Sequence, residues 1–214
     1  MKSSARPPEP AGIAVFAKAP VPGRVKTRIA RAIGDAAAAA LHERLVERAL
    51  TTACEAAPGR VELWCAPDTA HPFFAACARR HDITLHAQHG ADLGERMAHA
   101  FEHAHAHGRR LALVGSDCPA LTAADLRDAA HALIGHDAVF APAEDGGYVL
   151  VALAKPCPAL FRDVPWGTHD VMRITRERAR EAAVRVAEMR ILWDVDRPAD
   201  LERLERIERE AAWR

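Results

Sequence analysis

The sequence predicts an α/β fold, with a single doubly wound, mainly parallel sheet that carries helices on both faces. Two observations predict it. Short apolar runs alternate along the chain with segments of helical period. The runs are apolar throughout rather than at every second residue, which is typical of strands buried on both faces. The 214 residues, half of them apolar, suit a disordered tail over 1–10 and one domain over 11–214.

Seven apolar runs predict the strands, and polar or glycine-containing segments follow them. The fifth and sixth runs are separated only by AEDGG, which predicts a hairpin or an irregular excursion at the sheet edge. The runs are GIAVFA (12–17), VELWCA (61–66), DITLHA (82–87), RLALVG (110–115), DAVFAP (137–142), YVLVAL (148–153) and RILWDV (190–195).

Segments of helical period lie between the runs and after the last one. The longest spans 27–56, and Gly34-Asp35 predicts a break and restart within it. Thr122 and Asp125 have the spacing of a capping box at a helix start. The other predicted helices span 70–80, 94–107, 122–134, 168–183 and 198–212.

Composition excludes several classes of protein. Lys plus Arg equals Asp plus Glu at 29 each, so a globally basic nucleic-acid binder is not favoured. Five scattered cysteines without a CxxC pair indicate reduced thiols. The N-terminus has no apolar signal segment, and no run approaches the roughly 18 apolar residues of a membrane span. We expect a cytoplasmic protein that does not bind membranes; its oligomeric state stays open.

In open α/β sheets, ligands bind beyond the carboxyl ends of the strands. Polar, charged and glycine-rich segments follow five of the predicted strands in this sequence, and a single crevice would bring them together. They are KAPVPGRVKTR, QHGADLGERM, GSDCPALT, AEDGGY and WDVD.

The loop after the first strand has the chemistry of a polyphosphate site. Gly23 allows close backbone approach, and the following helix offers free N–H groups. Arg24, Lys26 and Arg28 add full charges, and arginine can grip a phosphate through two hydrogen bonds. Neither GxxxxGK[ST] nor GxGxxG is present. The alternative is a solvated basic loop.

Three aspartates are candidate metal ligands. Asp117 follows an apolar strand, where a carboxylate near a polyphosphate suits Mg²⁺; the alternative is an aspartate that hydrogen-bonds its own turn. Asp194 and Asp196 are two residues apart and would share one side of a strand, so either one could complete the site. Asp196 could instead only lead into the last helix.

Gly146-Gly147, in the segment AEDGGY, indicates either a place where the backbone closely approaches a ligand or a plain hairpin turn.

Three histidines recur at helical spacing. His99, His103 and His107 stand at i, i+4 and i+8, and i, i+4 pairs can bind metal. Because the stretch is rich in alanine and lacks an acidic ligand pattern, we favour a solvated helix face.

Six motifs in order, KAPVPGRVKTR, QHGADLGERM, GSDCPALT, PAEDGGY, WGTHDV and DVDRPADL, cover about 12–205. Together they resemble the radical-SAM/selenodomain-associated transferase family, described as glycosyltransferase-like, of the nucleotide-diphospho-sugar transferase (GT-A-like) superfamily. More distantly the pattern is similar to 2-phospho-lactate and molybdenum-cofactor guanylyltransferases. Their acceptor segment has G-P-G-S where this chain has PWGTHD, so the phospho-lactate substrate is not carried over.

The resemblance implies roles by position. Mg²⁺ or Mn²⁺ would bind Asp117 with Asp194 or Asp196. The nucleotide and its phosphates would contact Lys18, Gly23, Arg24, Lys26, Arg28, Gln88, Gly94 and Ser116. The acceptor side would hold Glu95, Asp145, Gly146, Gly147, Tyr148, Trp166 and Thr168.

Three functions fit these residues. The first is nucleotidyl transfer from a nucleoside triphosphate to a phosphorylated small molecule, with Lys26, Arg28 and Asp117 as catalytic residues. The alternative is glycosyl transfer from a nucleotide sugar, for which Glu144 or Asp145 could act as the base. The third is a nucleotide-binding module without turnover.

Overall fold

The computed structural model describes residues 11–212, with side chains as far as 209. Seven strands form one sheet in this part of the chain. They are β1 (Gly12–Lys18), β2 (Val61–Ala66), β3 (Thr84–Ala87), β4 (Leu111–Gly115), β5 (Ala138–Pro142), β6 (Tyr148–Leu153) and β7 (Val186–Glu188).

The helices follow the predicted order. The break at Gly34 is confirmed, and so is the capping box of Thr122 and Asp125. The helices are α1 (Thr27–Ile33), α2 (Asp35–Ala56), α3 (Pro72–His81), α4 (Leu93–Ala106), α5 (Ala123–Ala132), α6 (Val171–Glu181) and α7 (Asp200–Ala212), and Pro158–Phe161 forms an additional 3₁₀ turn. None of these helices combines the length and apolar character that crossing a membrane requires.

The strand order is β3-β2-β1-β4-β6-β5-β7, and β6 runs antiparallel to both of its neighbours. The predicted mainly parallel sheet is therefore confirmed. The chain goes outward from β1 through β2 to β3, and then returns to place β4 on the other side of β1. This reversal puts a switch point, where ligands bind in such folds, between the carboxyl ends of β1 and β4.

Helices cover both faces of the sheet, as the apolar strands predict. One buried cluster joins the sheet to α2, α3 and α5, and a second joins its other face to α4 and α6. The predicted disordered tail lies outside the described residues, and the single domain over 11–214 stays a prediction.

The predicted hairpin is confirmed, because β5 and β6 pair antiparallel, but its predicted place at the sheet edge is wrong, because β6 lies between β4 and β5. A second prediction about this half of the sheet is also wrong. The last strand is 186–188 rather than 190–195, where Leu192 makes only a single bridge to Ala143. The physical reason is tertiary packing: Trp193 and Val195 leave the sheet and join a buried cluster beside α1 and α2.

Candidate active site

Two adjoining pockets open at the carboxyl edge of the sheet. The larger has a volume of about 540 Å³ and the smaller about 210 Å³. Phe16, Leu93 and Gly115 line both pockets, so the two share a wall at the β1–β4 switch point. This is the place that the strand order assigns to a ligand.

The larger pocket is cationic. The loop after β1 and the start of α1 form one wall, and the segment after β4 forms another. Five cations line it against two carboxylates, which leaves a formal excess of three positive charges. The cations are Lys18, Arg24, Lys26, Arg28 and Arg96, and the acids are Asp117 and Asp196.

Lys26 is the central cation of this pocket. Its backbone takes a left-handed conformation (φ 48°) directly before α1, and its side chain is only 4% exposed. The ammonium nitrogen lies 2.9 Å from Asp117 Oδ2 and donates a 2.6 Å hydrogen bond to the Val195 carbonyl. Because an ammonium group has three N–H donors, one remains for a ligand.

Asp117 joins the segment after β4 to the segment before α7. The Ser116 hydroxyl donates to its Oδ1 at 3.1 Å, and its backbone carbonyl accepts from Val195 N at 2.8 Å. Burial raises the pKa of Asp117, but Lys26, His42 and Ser116 outweigh it and hold the pKa below its ordinary value. The carboxylate is therefore ionised, and at 44% exposure it remains open to a ligand.

His42 is a site residue that the sequence reasoning missed. It reaches the pocket from α2, where its ring Nε2 lies 2.9 Å from the Lys18 carbonyl oxygen. Its Nδ1 is 4.0 Å from Asp117 Oδ1, and burial lowers the pKa of the ring. The signal available in the sequence was its helical spacing from the apolar residues Ala38 and Leu45, which share its buried face.

Asp194 is partly buried and lies near other carboxylates. Burial first, and then the charges of Asp145, Asp117 and Asp196, raise the pKa of Asp194 to about 6. Asp194 makes no ion pair among residues 11–209. Within that range, Asp194 is thus a carboxylate without an ion-pair partner near the paired carboxylate of Asp117. Carboxylate oxygens are the ligands that Mg²⁺ and Mn²⁺ bind, so these residues fit the metal.

Asp196 has a different surrounding. Its carboxylate forms an ion pair with Arg28, while its backbone N–H donates to Asp200 Oδ2 at 2.9 Å. Asp200, the first residue of α7, also accepts from Arg197 N at 2.7 Å and so ties the preceding segment to the start of the helix. The predicted phosphate ligand Arg28 and the predicted metal ligand Asp196 are partners of each other in this structure.

Three residues of the segment 88–95 have distinct environments. Gln88 lines the larger pocket, and its side-chain amide donates to the Trp64 carbonyl at 2.8 Å. Glu95 accepts from Ala91 N at 2.7 Å, so its carboxylate is used in the helix start. Its neighbour Arg96, which the sequence reasoning did not single out, lines the larger pocket.

Gly94 is buried against protein rather than against open space. A Cβ added there would lie 2.7 Å from the Phe161 carbonyl oxygen and 2.8 Å from the Trp166 ring. The glycine therefore lets α4 pack closely against Trp166, which itself lines the smaller pocket. A direct contact of Gly94 with a nucleotide stays a prediction.

The smaller pocket is mainly apolar. Asp145 is its sole charged lining residue in the part of the chain that the structure describes, and its Oδ1 accepts from Gly147 N at 2.8 Å. The Thr168 hydroxyl donates to the Pro165 carbonyl at 2.8 Å. The predicted acceptor residues Asp145, Gly147, Tyr148, Trp166 and Thr168 all line this pocket.

Gly146 holds the two loops of the smaller pocket together. Its φ is +91°, and a Cβ added there would lie 2.1 Å from the His169 carbonyl oxygen. Its own carbonyl accepts from Met172 N at 2.8 Å. Gly146 therefore permits the contact between the β5–β6 turn and the start of α6.

Two aromatic side chains form the inner wall. Tyr148 and Trp166 meet edge to face with ring centroids 6.3 Å apart, and burial raises the pKa of the tyrosine hydroxyl. The Trp166 indole N–H is buried without a hydrogen-bond partner among the described residues. Its ring nitrogen lies 3.0 Å from the position of a Cβ added at Gly94, so this donor is enclosed by the packing of α4 against Trp166.

The chain shows similarity to a described family and to solved structures. It matches the family DUF2064, described as an uncharacterized protein conserved in bacteria, over residues 49–168. No curated protein matches it by sequence. A protein of Desulfovibrio desulfuricans G20, provisionally named a nucleotide-diphospho-sugar transferase, is 30% identical with a TM-score of 0.78; the match covers 92% of this chain and 96% of that one.

More distant structures share the fold. A nucleotidyl transferase from Methanothermobacter is 16% identical with a TM-score of 0.64, and the match covers 93% of this chain and 99% of that one. A CMP:2-keto-3-deoxy-manno-octonic acid synthetase complexed with CTP is 12% identical with a TM-score of 0.57, covering 95% and 100%. The α/β fold of this chain is thus the fold of nucleotide-diphospho-sugar and nucleotidyl transferases.

Proposed function

The chain belongs to the DUF2064 family, and we propose that it is a metal-dependent transferase that holds a nucleotide by its phosphates in the larger pocket. The observation that carries this proposal is the excess of cations around the pair of Lys26 and Asp117. Such an excess suits a polyphosphate, and the adjoining carboxylates suit the divalent ion that accompanies it. The 30% identical relative carries a transferase name, which supports the class.

The first candidate reaction is nucleotidyl transfer. An oxygen of the acceptor phosphate attacks the α-phosphorus of a nucleoside triphosphate; the bond to the α–β bridging oxygen breaks, and pyrophosphate leaves with the electron pair. No side-chain base is needed, because the attacking phosphate is already ionised. Lys26 has one free N–H for the phosphates, and Arg28 reaches them after exchanging its partner Asp196.

The metal would be held by Asp117 together with Asp194. Asp194 lacks an ion-pair partner among the described residues, whereas Asp196 is paired with Arg28. Bound there, Mg²⁺ or Mn²⁺ supplies positive charge that neutralises the phosphate oxygens. His42 and Ser116 orient the Asp117 carboxylate toward this task.

The smaller pocket is the proposed acceptor site. It contains no lysine or arginine among its described lining residues, so an acceptor phosphate would lie at the shared wall, near the cations of the larger pocket. The rest of the acceptor would fill the apolar space beside Tyr148 and Trp166. We therefore expect a small acceptor that carries an apolar portion.

Glycosyl transfer is the second candidate, and one observation favours it. Asp145 is the sole described charged residue of the smaller pocket and has the position of a base for an acceptor hydroxyl. Glu144 is less suited, because Arg203 binds it through two hydrogen bonds of 2.7 and 2.8 Å and lowers its pKa. The finer resemblance to radical-SAM/selenodomain-associated transferases is compatible with either reaction.

Product analysis tests the proposal. Each nucleoside triphosphate is incubated with Mg²⁺ and a set of phosphorylated hydroxy acids, sugars and polyols, and released pyrophosphate is measured; nucleotide sugars are tested in parallel for released nucleoside diphosphate. Metal-dependent pyrophosphate release that Asp117→Asn abolishes supports nucleotidyl transfer. Diphosphate release that Asp145→Asn abolishes supports glycosyl transfer. Metal-dependent nucleotide binding without release of either product would indicate the binding module instead.

A further inference from the structure

A second cluster of metal-ligating side chains lies away from the carboxyl edge of the sheet. Glu62 of β2, His86 of β3 and His103 of α4 each offer one ligand atom, and these atoms all lie within 4.8 Å of one another. The parallel register pairs Trp64 with His86, and Glu62 is two residues before Trp64, so both ligands share one face of the sheet. Helix α4 covers that face with His103.

The Glu62 carboxylate is held in a fixed orientation. Glu62 is buried; Arg109 Nη1 lies 2.6 Å from Oε1, and Trp64 Nε1 donates to Oε2 at 3.1 Å. Oε2 also lies 3.8 Å from His86 Nε2. Supporting contacts of this kind orient the ligands of known metal sites.

The two histidines are available as ligands. The Nε2 atom of His86 is buried and has no hydrogen-bond partner within the described part of the chain, and its ring stacks on Trp64 at 4.8 Å. The His103 ring centroid lies 4.7 Å from that of His86. Burial lowers the pKa of both rings, which favours the neutral form that binds metal.

His103 is therefore partly buried, whereas its helical spacing favoured a solvated helix face. Its ring lies edge-on to Trp64 at 5.5 Å, and His99 meets the same ring at 5.6 Å. Trp64 comes from β2, which is distant in sequence, and so helical periodicity alone could not reveal this contact. His107 is exposed, with its ring centroid 4.6 Å from that of His103.

We propose that Glu62, His86 and His103 bind a transition-metal ion, with Zn²⁺ as the best match. Two imidazoles and one carboxylate suit Zn²⁺, and three protein ligands leave a fourth position for water or for His107. Ligand atoms around tetrahedral Zn²⁺ stand roughly 3.3 Å apart, so small side-chain rotations close the observed arrangement. The ion ties α4 to β2 and β3.

This site differs in chemistry and position from the proposed metal site of Asp117 and Asp194, called the carboxylate site below. Glu62 is the second residue of its strand, whereas the nucleotide loops follow strand ends. The elements that the ion joins nevertheless reach the larger pocket, because α4 carries Arg96 and the chain continues from β3 directly into Gln88. Zn²⁺ bound here would fix the positions of both residues.

Zinc binding by the metal-stripped, tag-free full chain tests the proposal. Affinity is measured by competition with a chromophoric chelator for the wild type, His86→Gln and His103→Gln, with His105→Gln on the same helix as the matched control. We expect one Zn²⁺ per chain, at least about tenfold weaker binding in the first two variants and no change in the control. Equal affinity in all four proteins would overturn the site.

Two further measurements separate this site from other sources of binding. Asp117→Asn must retain the wild-type zinc affinity; loss of binding there would assign the ion to the carboxylate site and refute the proposal. Co²⁺ substitution reports the donors directly: visible bands of a four- or five-coordinate N/O site that disappear in His103→Gln support it, whereas thiolate charge-transfer bands would place the ion on cysteines. Circular dichroism without metal confirms that the variants fold.

Discussion

Replacing Asp194 by asparagine should stabilise the protein in the absence of metal. The pKa of Asp194 is raised from 3.8 to about 6 by burial and by Asp145, Asp117 and Asp196. A raised pKa means that the folded state binds more protons than the unfolded state between these two values. The free energy of unfolding therefore falls as the pH rises through this range. The shift of about two units corresponds to at most about 3 kcal/mol at pH 7.5.

Urea denaturation with a chelator present measures this effect. Asp194→Asn should be more stable than the wild type at pH 7.5, and the difference should be about half as large at pH 5 because most of the folded wild type is then protonated at Asp194. Asp128→Asn is the matched control, since Asp128 is exposed on α5 and its carboxylate makes no ion pair with any residue that the structure describes. We expect no change for it beyond about 0.5 kcal/mol.

Adding Mg²⁺ or Mn²⁺ should reverse the order. A ligand at about 100 times its dissociation constant adds roughly 2.7 kcal/mol to the free energy of unfolding of the wild type. Asp194→Asn should lose most of this gain, because asparagine offers the metal a neutral amide oxygen instead of a charged carboxylate. A variant no more stable than the wild type without metal, or a stability advantage that does not depend on pH, would contradict the raised pKa of Asp194.

Three other predictions concern neighbouring residues. Lys26→Met should lower the free energy of unfolding by about 1–3 kcal/mol, because it removes a buried cation from Asp117, and calorimetry should show at least about tenfold weaker nucleotide binding. Arg28→Gln should leave urea stability within about 0.5 kcal/mol, since the side chain is exposed, while raising the KM for the nucleotide; unchanged KM would remove it from the site. Gly94→Ala should destabilise by about 1–3 kcal/mol through overpacking against Trp166, with altered tryptophan fluorescence; normal stability would contradict the observed contact.

The sequence predicts a strand correctly where its apolar residues are buried within the sheet itself. The runs at β1, β2, β4, β5 and β6 are buried on both faces, and their composition shows it. The run 190–195 is equally apolar, but its side chains pack beside α1 and α2 instead of joining the ladder. An apolar composition indicates that a segment is buried, but it does not show whether the segment is buried in the sheet or against helices.

The sequence likewise predicts some residues of the site and misses those that tertiary packing brings there. The switch-point rule brings Lys26 and Asp117 into one crevice, because both follow strands that are neighbours in the sheet. His42 arrives from the middle of α2, and the face of that helix is set by tertiary packing. Likewise, Asp145 raises the pKa of Asp194 only because the β5–β6 turn folds back toward the segment after β7. The spacing of His42 on α2 indicates that it is buried but not what it packs against, and local spacing carries no signal for the approach of Asp145 to Asp194.

A calorimetric titration with nucleotides tests the central claim most directly. The four nucleoside triphosphates and a set of nucleotide sugars are titrated into the wild type and Asp117→Asn, each with Mg²⁺ and with a chelator. We expect that at least one nucleotide binds the wild type in a metal-dependent manner and that Asp117→Asn loses this dependence. If no nucleotide binds, or if binding ignores both the metal and Asp117, the larger pocket is not a metal-dependent nucleotide site.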